Sequence, residues 1–290
     1  MTATPVRVPA RRGRARRPGG PLGPVVLAVL VVAALVTVAP LLVVALNAVK
    51  TPAEYASNGP LSLPAGLYLD GIIDFWHRVD FGGKLLNSAI ISGSVAVLAV
   101  LVSVFNAYAL GIGQVRGRSA FLVFFLVGNL LPQEALVYPL YYLAKQVHLY
   151  DTQLVVIIIF TAIQGAFGTY LLSSVYREFP RELLEAAEVD GAGRWRVLLR
   201  VVVPVSRATL GVLFTFSFIW AWKELFLPLV FLISDERQTV PVALSVLQGD
   251  RNMDMTTTSA SALIGIVPAV VFFLIFQRTL TRGIMAGALK

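Results

Sequence analysis

The 290-residue chain is 57% hydrophobic and only 14% charged, with a mean hydropathy of +0.77, too apolar a balance for a soluble globule of this length. It has no cysteine and two histidines, His77 and His148, which excludes disulfides and thiolate nucleophiles and leaves ordinary zinc sites without ligands. The net charge of +8 reflects arginines placed by membrane topology, and nucleic-acid binding is not expected.

Residues 1–23 carry RVPARRGRARR, a basic tail suited to anionic lipid headgroups or to disorder. The apolar run over 24–46 is longer than a signal-peptide core of about 7 to 15 residues and is followed by further spans, so it reads as an uncleaved anchor. Crossing roughly 30 Å of hydrocarbon takes about 20 apolar residues, and five more such runs are predicted over 85–112, 120–144, 154–174, 210–233 and 259–277. None alternates with period two, and backbone in lipid must satisfy its own hydrogen bonds. The expected fold is therefore an all-α polytopic membrane protein with six transmembrane helices. Its parts are the tail 1–23, the first helix with its outer loop 24–84, and a five-helix core 85–290 that includes a polar loop, 175–209. Pro40 and Pro268 are expected kinks, and Gly165, Gly168, Ala162 and Ala166 should let helices pack closely.

Lysine and arginine placement sets the orientation. With the N-terminus inside, 17 of the 24 fall on the tail, the second and fourth connections and the C-terminal end, six fall on outer segments, and Lys223 lies within the fifth span. Both termini and the loop 175–209 are thus predicted to be cytoplasmic. On the outer side, PVALSVLQG (241–249) should form a short helix.

Catalytic signatures are missing. The patterns GxSxG, HExxH and GxxxxGK[ST] do not occur, and GIGQVRG (111–117) has the glycine spacing of a helix end, not of a dinucleotide loop. With about 140 residues in the membrane and no connection above roughly 40, there is no room for a soluble catalytic domain. Any nucleotide energy must be supplied through another chain.

The loop 175–209 contains EAAEVDGAGRWRVLLRVVVP. Pro180 suits a helix start, RELLEAAEVD supplies helix formers with early acids, and Gly191 fits the left-handed position beyond a helix end. A second short helix is expected over 194–203, up to Pro204. On the first, Leu184, Ala187 and Glu188 share one side, and Leu183, Ala186 and Asp190 another. Such a helix is either a knob for a partner's groove or an amphipathic helix in the headgroup layer.

EAA, three residues, Gly and a later proline, in a loop before the penultimate span, closely resemble the signature of permease subunits of ATP-binding cassette importers. Glu185, Ala186, Ala187 and Gly191 match that motif, Asp190-Gly191-Ala192 matches the DGA form of the carbohydrate-uptake branch similar to the maltose-type inner-membrane permeases, and Pro204 matches its closing proline. NAVKTPAEY, LLNSAIIS, WKELFLPLVFL and FQRTLTRGIMAGALK resemble further family segments, with Lys223 where asparagine is usual. The resemblance implies that Leu183, Leu184, Glu185, Ala186, Ala187, Asp190 and Gly191 couple the permease to an ATPase. It implies two ATPase subunits binding ATP and magnesium, a second permease subunit, an extracytoplasmic solute-binding protein, and residence in a bacterial or archaeal cell membrane. No cofactor or metal is expected in this chain.

The substrate pathway is sought among polar groups in the spans. Glu134, within LPQEALVYP, and Lys223 and Glu224 are placed near the middle of spans three and five, where a lipid-facing charge costs about 2.5 to 3.5 kcal/mol. They should face the interior, as pathway lining, as a structural Glu134–Lys223 pair, or at an interface with a second permease. Trp220 and Trp222 are candidates for stacking on sugar rings or for ordinary aromatic packing. The alternative in another class is a secondary transporter in which Glu134 and Glu224 carry a coupling proton or sodium ion.

Overall fold

The computed structural model describes residues 23–113, 115–248 and 254–288. The basic tail up to residue 22 and the outer-loop Arg251 lie outside the described residues. Among the described residues, five helices are long and apolar enough to cross a membrane: α1 (Gly23–Ala48), α4 (Phe81–Ala107), α7 (Gln153–Arg177), α10 (Val203–Lys223) and α13 (Met255–Ala288). A sixth span is broken into α5 (Arg118–Leu130) and α6 (Gln133–Gln146), bent by 96° at the break. Short helices decorate the ends: α2 (Pro52–Asn58), α3 (Asp70–Arg78) and α12 (Val240–Gln248) at one, α8 (Arg181–Val189) and α9 (Arg194–Val197) at the other. The six-helix all-α expectation is met, and α12 accounts for the expected outer helix up to Gln248, Gly249 lying outside the described residues.

Local chemistry starts these helices. Thr152 accepts the N–H of Val155 at the head of α7, and Asp254 accepts those of Thr256 and Thr257 at 2.9 and 2.8 Å ahead of α13. At its far end α4 relaxes into one π-helical turn, Tyr108–Ile112, and Gly117, at φ +77, leads into α5.

The centre of the bundle is α4, α7 and α10. Ser103 on α4 donates to the carbonyl of Gly165 at 3.2 Å, and a Cβ at Gly168 would stand 2.9 Å from Leu213 of α10. Small residues on α7 therefore set how near its two neighbours come, as expected for helices packed without a hydrophobic drive between them. α13 leans on α10 through Phe272, whose ring is 4.5 Å from Phe218 and 4.6 Å from Trp222. α1 lies against α13 and is otherwise apolar and exposed all round, a surface for lipid or protein. Pro40 and Pro268 sit inside helices that continue past them.

Two predicted spans are corrected. The third is not continuous but breaks at a proline: Leu131 is extended at ψ 130 because residues before proline avoid the helical region, and Pro132 then opens α6, while Pro139 stays inside it. The fifth does not occupy 210–233. It begins at Arg194, where α9 passes through a π-helical turn, Leu198–Val202, into α10, and it ends at Lys223. Pro204 thus does not end a separate helix, because the π turn rearranges the bonding around the carbonyls that its missing N–H leaves unserved. Beyond Lys223, Glu224 is extended, and a separate short helix, α11 (Phe226–Phe231), follows. Pro228 explains that stop, since a proline ring clashes with the carbonyl four residues earlier in an unbroken helix, here that of Glu224.

The loop after α11 is clamped to the core at the end that carries α2, α3 and α12. The buried Lys84 pairs with Asp235 at 2.8 Å, and Asn87 donates to the carbonyls of Glu236 and Gln238 at 2.7 and 3.0 Å. Asp151, itself left-handed at φ +58, accepts from the N–H groups of Ile233 and Ser234 at 2.9 and 3.0 Å, from the Ser234 hydroxyl at 2.5 Å and from Arg237 at 3.2 Å. Burial alone would raise the Asp151 pKa, but the Ser234 and Ile233 hydrogen bonds and the Arg237 charge together pull it below the usual aspartate value. A depressed folded-state pKa means that the clamp contributes fully above about pH 4 and is lost as pH falls through the lowered value. The thermal midpoint of the wild type should therefore exceed that of Asp151→Asn at pH 6, with the gap closing below about pH 4; a gap that does not change with pH would dissociate the carboxylate from the clamp.

Candidate functional site

Two features stand apart from general packing: the α8–α9 loop at one end, and a cavity where the broken helices meet. Pro180 caps α8, and the helix closes in a left-handed turn at Gly191, φ +68, where the N–H of Ala192 donates to the carbonyl of Ala187 at 2.9 Å. This agrees with the sequence expectation for Gly191. The coupling candidates divide by face. Ala187 is buried and Leu184 half-buried against a core of Tyr176, Val197, Leu198, Val202 and Leu213. Leu183, Glu185, Ala186, Asp190 and Gly191 are exposed, and Val189, which the sequence reading did not single out, is 89% exposed at the helix tip.

The inward face fixes the loop to the bundle. Tyr176 of α7 shares a 3.1 Å hydrogen bond with Ser206 of α10, and Tyr108 donates to the carbonyl of Arg194 at 3.2 Å. α8 is therefore built into the same core as the spans it connects, while its outer face stays uncovered in the single chain.

The cavity, of about 260 Å³, lies between the α5–α6 break, α7 and the last turn of α10. Its polar lining is three carboxamides, Asn129, Gln133 and Gln164; its walls include Trp220, Phe167 and Phe216. Phe167 and Phe216 stack at 5.5 Å, and the Trp220 ring is held edge-on to Phe160 at 5.4 Å. Asn129 spends its N–H on the Phe125 carbonyl at 2.9 Å, which leaves its oxygen free. Gln164 is 3% exposed, and its carboxamide makes no hydrogen bond to any described residue. Its amide atoms are not sealed in protein but open onto the cavity, where water or a ligand can pair with them. Among the described residues, no ionisable side chain lines the cavity.

Of the pathway candidates, only Trp220 reaches this cavity. Trp222 is buried against Phe218 and Phe272, the ordinary packing alternative. Lys223 and Glu224 are not near mid-span, because α10 starts and stops earlier in the sequence than expected; they form its C-terminal edge, and Glu224 accepts the N–H of Phe226 at 3.1 Å, anchoring the start of α11. Glu134 stands exposed in the first turn of α6, and no ion pair joins it to Lys223 among the described residues. The residues missed from sequence are Asn129, Gln133 and Gln164. The one available signal was an amide within the apolar run LVVIIIFTAIQGAFG.

Comparison with known proteins agrees with this architecture. Residues 10–285 match the family described as binding-protein-dependent transport system inner membrane component. A trehalose transport system permease protein of Mycobacterium tuberculosis is 30% identical over 82% of this chain and 88% of its own. A melibiose/raffinose/stachyose import permease protein of Bacillus subtilis is 26% identical over 87% and 91%. In fold, the chain is similar to a solved chain of a bacterial ABC transporter involved in the import of the acidic polysaccharide alginate, with a TM-score of 0.78, 21% identity, and coverage of 89% of this chain and 95% of that one.

Gly191→Val places a β-branched side chain at a positive φ, which costs about 1 to 2 kcal/mol and should open the α8–α9 turn. The variant should insert and keep its helical circular dichroism, but be cleaved faster by protease within residues 189–194; unchanged cleavage would mean that the turn tolerates the side chain.

Proposed function

Because the chain belongs to the binding-protein-dependent transport system inner membrane component family, the permease subunits of ATP-binding cassette importers, we propose that it carries a carbohydrate across a bacterial cell membrane as one of a pair of such subunits. The exposed face of α8, joined to the core through Ala187 and Leu184, is the observation that carries the mechanism. In this reading α8 lies in the cytoplasm, as the lysine and arginine bias directs, and Leu183, Glu185, Ala186 and Val189 seat in a groove of an ATPase subunit that binds ATP and magnesium. A second permease offers an equivalent helix to a second ATPase, and a solute-binding protein docks at the opposite end.

Motion of the docked helix reaches the substrate route through α10. From Arg194 to Lys223 the span is one helix apart from its π turn, so displacement at α8 tilts the wall that presents Trp220 to the cavity. ATP and the loaded binding protein each shift the balance between inward and outward openings only by binding one state better than the other. The named relatives that import trehalose or melibiose, raffinose and stachyose support a carbohydrate cargo, and the aromatic and carboxamide cavity suits one. The ion-carrier alternative has no such support, since Glu224 is engaged at a helix start.

Cells lacking this chain should regain uptake of one of radiolabelled trehalose, melibiose or raffinose on expressing it. That uptake should stop on ATP depletion and survive an ionophore. The ATPase should co-purify with wild type in mild detergent and be lost from Glu185→Lys. Uptake that survives ATP depletion but collapses with the ion gradient, by a chain that purifies alone, would overturn the reading.

A further inference from the structure

Resting on the carbohydrate reading, we infer that the cavity at the α5–α6 break is a subsite for one uncharged sugar ring, hydrogen-bonded by Gln164, Gln133 and Asn129 and stacked on Trp220. The first ground is Gln164. A carboxamide both donates and accepts, so it matches a hydroxyl in either sense, and this one is 3% exposed, lines the cavity and has no partner among the described residues. Gln133 likewise makes no side-chain hydrogen bond there, and Asn129 retains a free oxygen. Three amides on three helices, α5, α6 and α7, thus converge on a space whose remaining wall is apolar and largely aromatic.

Size and charge narrow the ligand. At about 260 Å³ the space falls short of the roughly 300 to 1,000 Å³ of sites that enclose a drug-sized ligand, so it takes a single ring of a saccharide and not a whole oligomer. Trp220 supplies a flat apolar plate whose orientation Phe160 fixes, the complement of the C–H face of a pyranose. Among the described residues, no cation lines the cavity to compensate a carboxylate. An acidic sugar would lose its hydration without gaining a partner, so the subsite discriminates against uronates. Lys223, whose charge invites the opposite reading, is exposed and lies outside the lining.

The test uses the complete transporter in proteoliposomes with its binding protein and ATP, probed with radiolabelled trehalose, melibiose, raffinose and digalacturonate. Wild type should carry at least one neutral sugar and exclude digalacturonate. Gln164→Leu and Trp220→Leu should each lower neutral uptake about tenfold, and Gln164→Asn should retain part of it. If Gln164→Leu fails to assemble, Gln133→Leu at the less buried rim decides in its place. Neutral uptake at the wild-type rate in the assembled leucine variants, or digalacturonate carried as fast as the neutral sugar, overturns the subsite while leaving the carbohydrate permease intact. Uptake of none of the four overturns the carbohydrate reading and the subsite with it.

Discussion

A backbone in hydrocarbon must satisfy every N–H and C=O within its own segment, and this protein breaks that rule at two prolines. Leu131–Pro132 interrupts one span and Pro228 stops another at Glu224. Irregular backbone at membrane depth is tolerated only where protein covers it or where it lines a polar space. Both conditions are met here. The α5–α6 break borders the cavity that Trp220 closes from α10, and the α10–α11 break is held by Glu224 from within and by the Asp151 and Lys84 clamps just beyond it. The polar space is thus a consequence of where the chain had to leave the helix.

The two ends of the bundle solve different problems. At the end carrying α2, α3 and α12, polar side chains lock the loops onto the core. Lys50, fully buried without a carboxylate beside it, is held by Asn47 at 2.9 Å and by the Gly59 carbonyl and Ser62 hydroxyl at 3.1 Å each. Such a buried ammonium is tolerable only because several oxygens surround it. At the other end, the polarity is turned outward and the apolar side chains are shared between α8 and the spans. One end is therefore stiffened as a platform, and the other presents a helix that cannot shift without dragging the core.

Much of this was legible in the sequence, for a physical reason. Span existence follows from the length of apolar runs, and five of the six predicted runs overlap the observed helices closely because nothing but burial in lipid explains twenty such residues together. Gly191 was legible because only a left-handed turn uses glycine in that way. The third span was legible as a run, and the prolines of LPQEALVYP mark where a helix can break. The fifth was misplaced because RVLLRVVVP reads, from its charges and its proline, as a separate short helix ending at Pro204, whereas the arginines lie at the exposed end of a span whose other face, Val197, Leu198 and Val202, is buried. That error moved Lys223 and Glu224 to mid-span, where the cost of a lipid-facing charge marks them as pathway candidates. Gln164 was illegible for the converse reason: an uncharged amide barely perturbs hydropathy, and its importance comes from neighbours contributed by α5, α6 and α10.

How the two features communicate depends on the π turn at Leu198–Val202. A helix from Arg194 to Trp220 is a lever of about 40 Å at about 1.5 Å per residue, but a hinge between the ends would absorb the stroke. π turns and proline are the usual hinges, and both occur here, at Leu198–Val202 and Pro204. What stiffens the joint is its surroundings. Leu198 and Val202 are buried at 1% and 0% exposure in the cluster that also holds Ala187 of α8, and Ser206, one turn further on, is bonded to Tyr176 of α7. Bending there would expose that cluster and break the α7–α10 bond, so the joint transmits displacement as a unit with α8. Under the proposed role, the packing around Val202 decides whether a push on the docking helix arrives at Trp220 or is lost in the loop.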